Sequence, residues 1–152
     1  MRLILLLPFL AVCFQAMSSA PQGALKDTVE EKIWAQEAAY FTHFYKAEYA
    51  EVLALVHDQF LGWPGGQTQP IGKQESSRFM KQAVPKATNC RVKIERAGIR
   101  VLGSVALTQY TIHVNCSDSA GVATSQSSII THTWVKEGTL WKLLGGMSAE
   151  IK

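Results

Sequence analysis

The chain has 152 residues and 47% hydrophobic content, enough for one packed domain and too little for two. It carries 15 Lys and Arg against 12 Asp and Glu, and setting Arg2 aside leaves 14 against 12. Those basic residues are scattered rather than striped, which excludes a nucleic-acid-binding surface.

Residues 1–20 read as an export leader. Arg2 gives a positive start, residues 3–14 an apolar stretch, and Ser18-Ser19-Ala20 the small residues that signal peptidase prefers. The stretch is too short for a membrane span, and Val12 is too large to precede a lipidated Cys13. The remaining residues, 21–152, are expected to form a single domain, secreted or periplasmic, in an oxidising compartment.

After a polar lead over 21–26, Asp27 is the expected N-cap of a first helix, with Glu30 three residues on as in a capping box. Val29, Ile33, Tyr40 and Phe44 recur at helical intervals beside a stripe of Trp34, Ala38, Phe41 and Tyr45, so a wide apolar face must cover a sheet. Residues 48–56 predict a second helix ending at His57-Asp58, and 59–63 a short strand. Pro64-Gly65-Gly66 is a turn, 67–71 a loop, and 72–83 a third helix stopped by Pro85.

Residues 90–101 and 105–116 predict two long strands joined through Leu102-Gly103-Ser104. Val92 and Ile94 share one parity, Ile99 and Val101 the other, which requires a bulge near Ala97-Gly98. The hairpin sets Cys90 nearly opposite Cys116 at its open end, the placement of a disulfide. Two cysteines are too few for a structural zinc site and no His stands at finger spacing, so neither metal nor cofactor is expected. Residues 117–128 read as a polar loop. A closing hairpin follows, with Glu137-Gly138 as its turn, which would place Trp134 opposite Trp141.

The run Thr133-Trp134-Val135-Lys136-Glu137-Gly138-Thr139-Leu140-Trp141-Lys142-Leu143 resembles the closing hairpin of the nuclear transport factor 2-like superfamily, most nearly its SnoaL-like branch. The likeness covers most of the chain after the first two dozen residues. It implies an α+β fold, a strongly curved, mostly antiparallel sheet forming a cone covered by N-terminal helices, and a homodimer through the convex sheet face. It leaves function open. In the ketosteroid-isomerase relatives the proton-moving carboxylate stands just before a Pro; here Trp63 precedes Pro64, and an indole takes up no proton. Tyr40 falls about where that branch keeps a hydroxyl donor.

The candidate acid–base residues are His113, His132, Asp58 and Tyr40. His132 shares a strand face with Trp134, and if His113 also faced the cone the two could act as acid and base. Trp34, Tyr40, Trp63, Tyr110 and Trp134 are the expected pocket lining. Asn115-Cys116-Ser117 also matches a glycosylation sequon. Three readings follow: an exported domain binding a small apolar ligand; an isomerase, cyclase or dehydratase with a pocket His as base; or a non-catalytic dimerisation module. A cavity holding a His within hydrogen-bond reach of an acid favours the enzyme, a dry aromatic cavity the binder, and a filled cone the module.

Overall fold

In the computed structural model, which describes residues 28–83 and 89–152, the chain folds from α1 (Val29–Tyr45) through α2 (Tyr49–Leu55), β1 (Val56–Trp63), β2 (Ile71–Gly72) and α3 (Lys73–Ala83). Four long strands complete it: β3 (Asn89–Leu102), β4 (Val105–Ser117), β5 (Ala123–Glu137) and β6 (Leu140–Glu150). The leader, Asp27 and Pro85 lie outside the described residues. The six strands form one sheet in the order β2-β1-β6-β5-β4-β3, antiparallel throughout except where β1 runs parallel to β6. Hairpins account for the antiparallel run β3 to β6; the long connection through β2, α3 and β3 to β5 is what permits β6 to return parallel to β1.

Helix α1 is capped one residue later than expected. Thr28 is the N-cap, its Oγ1 accepting the Glu31 amide at 3.2 Å, and the Glu31 side chain leaves the capping box to meet Arg96 at 2.8 Å. At the other end Ala47 N–H donates to Phe44 O and Glu48 N–H to His43 O, a Schellman closure with Ala47 at φ 59°. A Cβ is unfavourable in that left-handed conformation. Ala47→Gly is therefore expected to raise stability by about 0.5–1 kcal/mol in urea unfolding.

The buried stripe of α1 is Ile33, Trp34, Glu37 and Phe41, while Val29 and Ala38 are exposed. Two apolar clusters sit beneath it, one around Trp34, Phe41, Tyr110 and Ile112, the other around Ile33, Trp134, Trp141 and Leu143. A charged residue thus occupies the middle of the packed face.

Several boundaries move. Helix α2 ends at Leu55, because Val56 already pairs with Leu143, and His57 and Asp58 lie in β1. Ile71-Gly72 pairs with Gly62 and Leu61 instead of forming a loop. Strand β5 begins at Ala123, since the polar residues 123–127 continue the ladder with β4, and only 118–122 are left as loop. Sheet hydrogen bonding is indifferent to side-chain polarity where one face is open to water. The closing turn is Gly138-Thr139, with Gly138 at φ 60° in the first loop position. That pairs Lys136 with Trp141 and Trp134 with Leu143, so the two tryptophans are diagonal neighbours on one face rather than directly opposed.

Three register slips interrupt the sheet: one between Arg96 and Gly98 of β3, where the sequence places it, one in β6, where Leu144 is left over between the Trp134–Leu143 and Thr133–Gly145 pairs, and one between Val56 and Leu61 of β1 against β6. Cys90 and Cys116 are directly paired across β3 and β4 and joined as a disulfide at a sequence separation of 26. Replacing both with Ala is expected to lower stability by about 3 kcal/mol, the chain-entropy value for a loop of that length, and to leave reducing agent without further effect on urea unfolding.

Candidate functional site

The inner face of β4 presents Thr108 and Tyr110, that of β5 presents His132 and Trp134, and α1 lowers Glu37 onto all four. Alternation along each strand puts these residues on one side, and the pairing of Thr108 with His132 sets the two rows in register. Glu37 is fully buried. Its Oε1 accepts Thr108 Oγ1 at 2.6 Å and Trp134 Nε1 at 2.7 Å; its Oε2 accepts the Tyr110 hydroxyl at 2.7 Å and faces His132 Nδ1 at 2.8 Å.

Every group around this carboxylate donates, so the site suits the ionised form. Burial pushes the Glu37 carboxyl up, the largest single effect, but the facing His132 and the Thr108 and Tyr110 hydroxyls together outweigh it and hold it below its ordinary value. Burial, then the adjacent Glu37 charge, keeps the Tyr110 hydroxyl protonated far above the usual tyrosine range. With an acceptor-only carboxylate opposite, His132 Nδ1 carries a hydrogen, shared with Tyr110 Oη at 3.1 Å. Nε2, the lone-pair nitrogen in the neutral form of that tautomer, has no hydrogen-bond partner among the described residues.

A depressed carboxyl pKa has a definite sign for stability. The contribution of Glu37 is present above the ordinary carboxyl value of 4.5 and is lost as pH falls through its lower folded value. The urea midpoint is expected to drop as pH is lowered below that point, with a shallower drop in Glu37→Gln than in the native chain.

His132 lines a pocket of ≈ 540 Å³ between the helices and the inner sheet face. Its ring lies over Gly146, where a Cβ would come within 2.4 Å of His132 Cδ2 and 2.3 Å of Thr131 O. Only glycine leaves space for the imidazole there. Tyr40 packs edge-on against His132 with ring centroids 5.6 Å apart and lines the same pocket. Burial, reinforced by Glu37 and Tyr45, raises its hydroxyl pKa, and that hydroxyl has no protein partner among the described residues. It is a free donor.

The other sequence-derived candidates lie elsewhere. His113 is on the opposite, outer face of β4, held between Ser127 Oγ at 2.8 Å and Glu95 Oε2 at 3.2 Å, so it does not converge with His132. One position of odd parity is enough to move it across the sheet. Asp58 is exposed in β1 and bonded to Lys73 Nζ at 2.9 Å; that hydrogen bond and the lysine charge hold its carboxyl below the usual value. It does not line the pocket. Of the five aromatic residues expected there, Tyr40 and Trp63 line it, Trp63 with Nε1 donating to Gln67 O at 2.8 Å. Tyr110 and Trp134 are instead sealed under α1, bonded to Glu37, and Trp34 is buried on the inner face of α1 itself, edge-on to Tyr110.

Glu37 is the residue that sequence reasoning missed. Its signal was a carboxylate four residues from both Ile33 and Phe41, in the centre of an apolar stripe. Among the described residues no group of three His, Cys, Asp or Glu is arranged to hold a metal, and no helix is long and apolar enough to cross a membrane.

A family model described as a SnoaL-like domain matches residues 34–147. A comparison with curated proteins finds no match. Among solved structures, one similar chain is a provisionally named dehydratase of the nuclear transport factor 2-like family from Streptomyces avermitilis (TM-score 0.71, 13% identity, covering 81% of this chain and 97% of that one). A ketosteroid isomerase-like protein from Erwinia carotovora atroseptica is similar at TM-score 0.64 and 20% identity, covering 79% and 94%. The calmodulin-dependent kinase II hub homology domain of Chlamydomonas reinhardtii is similar at TM-score 0.67 and 13% identity, covering 82% and 100%. Likeness at these identities speaks for the fold alone.

Proposed function

Because the chain belongs to the SnoaL-like domains of the nuclear transport factor 2-like superfamily, we propose that its pocket is a general acid–base site for a small, mainly apolar carbonyl compound. The observation that carries this reading is the Glu37–His132 pair, with Nδ1 held by a buried carboxylate at 2.8 Å and Nε2 left free on a pocket-lining ring. A buried acid that fixes a histidine tautomer is what a positioned base requires. His132 Nε2 would take a proton from the carbon next to the carbonyl. The C–H electron pair passes into an enolate whose oxygen accepts a hydrogen bond from Tyr40. Return of the proton at another carbon gives isomerisation, and departure of a β-hydroxyl as water gives dehydration.

Turnover is tested by incubating the protein in deuterium oxide with ketones, enones and β-hydroxy ketones, with and without an amino group, and following proton NMR. Enzyme-dependent α-exchange, double-bond migration or loss of water is expected. A rate equal to buffer throughout the panel would leave a binding domain with a buried structural carboxylate.

Two accompanying readings have their own support. The disulfide is compatible with export directed by residues 1–20, with 21–152 as the working domain. Val105, Leu107 and Ile129 are each more than a third exposed on the outer sheet face, a surface suited to a homodimer. Sedimentation of the native chain against Leu107→Lys tests that interface.

A further inference from the structure

The charges around the pocket are one-sided. Its wall carries aromatic rings from three elements, Tyr40, Phe44 and Tyr45 of α1, Phe60 and Trp63 of β1, and Phe79 of α3. Among the described residues no Lys or Arg contributes to it, although the chain has 15 of them. The one carboxylate on the wall, Glu150 near the end of β6, has no hydrogen-bond or ion-pair partner among the described residues. A second, Glu37, lies directly behind the His132 ring. Apart from His132, the other polar side chains on the wall are hydroxyls, an amide and an indole.

An anion entering this space would give up its hydration and meet no Lys or Arg among the described residues, with the Tyr40 hydroxyl as a donor set against the Glu150 charge and the negative faces of aromatic rings. A neutral molecule would gain the apolar walls and, where it carries an acceptor, the Tyr40 hydroxyl. A cation would gain the walls, the ring faces and the Glu150 charge together. We infer that the pocket selects for positive charge, and that its ligand is a small organic cation, an amine or quaternary ammonium carried on an apolar body. The inference rests on reading this pocket as a ligand site and adds the charge class to it. On that basis an amino-bearing carbonyl compound is the substrate class to expect from the acid–base pair.

Three probes of nearly one shape separate the cases: benzyltrimethylammonium, its uncharged carbon isostere neopentylbenzene, and the anion phenylmethanesulfonate. Binding to the purified protein is followed by tryptophan fluorescence and by ligand-observed NMR. The cation is expected to bind at least about tenfold more tightly than the neutral isostere, within the range that cation–π and carboxylate contacts allow, and the anion not at all. In Glu150→Gln the preference should shrink severalfold while the neutral isostere keeps its affinity; an unchanged preference removes Glu150 from the recognition. A neutral isostere binding as tightly as the cation, measurable binding of the anion, or no binding by any probe overturns the inference. His132→Gln should retain the ordering of the probes. Absence of turnover by the native chain in the deuterium-oxide panel with the ordering intact therefore rejects the acid–base reading alone, and turnover without the ordering rejects charge selection alone.

Discussion

Glu37→Ala is expected to lower stability by about 3–5 kcal/mol, a large part of the 5–15 kcal/mol that holds a domain of this size together. The side chain accepts hydrogen bonds from Thr108, Trp134 and Tyr110 and faces His132 Nδ1, all within 2.6–2.8 Å and all buried. Removing it strands four donors in a space that water enters poorly, and each unpaired group costs about 1–3 kcal/mol. The loss is also geometric, since Tyr110 belongs to one apolar cluster and Trp134 to the other, and Glu37 ties both to α1. Glu37→Gln keeps the shape but turns an amide donor toward other donors, so a smaller loss is expected. Urea unfolding followed by tryptophan fluorescence measures both. A loss below about 1 kcal/mol in the alanine variant would mean that the network contributes little and that packing alone seats the helix.

The largest functional effect is expected from His132→Gln, which should reduce turnover of any substrate found by the NMR panel by about 10²–10⁴-fold, the usual contribution of a positioned base. KM should change far less, because the aromatic walls that hold the ligand are untouched. Tyr40→Phe, which removes the free hydroxyl and keeps the ring, should reduce turnover by a smaller factor. Nitrogen-15 NMR of the native imidazole should find the hydrogen on Nδ1 and a bare Nε2. An Nε2–H tautomer, or a glutamine variant as active as the native chain, would remove His132 from the chemistry. On the proposed acid–base reading Glu37 acts through His132 as a positioning residue, and its Gln variant should alter that nitrogen-15 pattern as well as the rate.

The pocket and its dyad were legible in the sequence to unequal degrees. His132 followed from strand alternation, two residues before Trp134, and the bulge near Ala97-Gly98 followed from a parity change in the apolar pattern. The pairing of Cys90 with Cys116 followed from the lengths of two adjoining strands. These are local periodicities, and a chain displays them directly. His113 was misread because the face it occupies depends on which side of the sheet the helix covers. The closing hairpin was placed one residue out because Glu137-Gly138 and Gly138-Thr139 are both acceptable turns until Trp141 must find its partner.

By itself, then, the amino-acid order determined an α+β chain of helices followed by long bent strands, with two tryptophans on the inner face of the last hairpin. The tertiary structure alone decided that α1 turns Glu37 rather than Ala38 inward, that Thr108, Tyr110, His132 and Trp134 from two strands close on that carboxylate, and that three of the five aromatic residues are buried between helix and sheet while two remain at the pocket. The reason is one of range. Hydrophobic periodicity fixes which residues share a face within a segment, whereas a buried charge is tolerated only where donors 71 to 97 positions away arrive together, and no local pattern records that meeting.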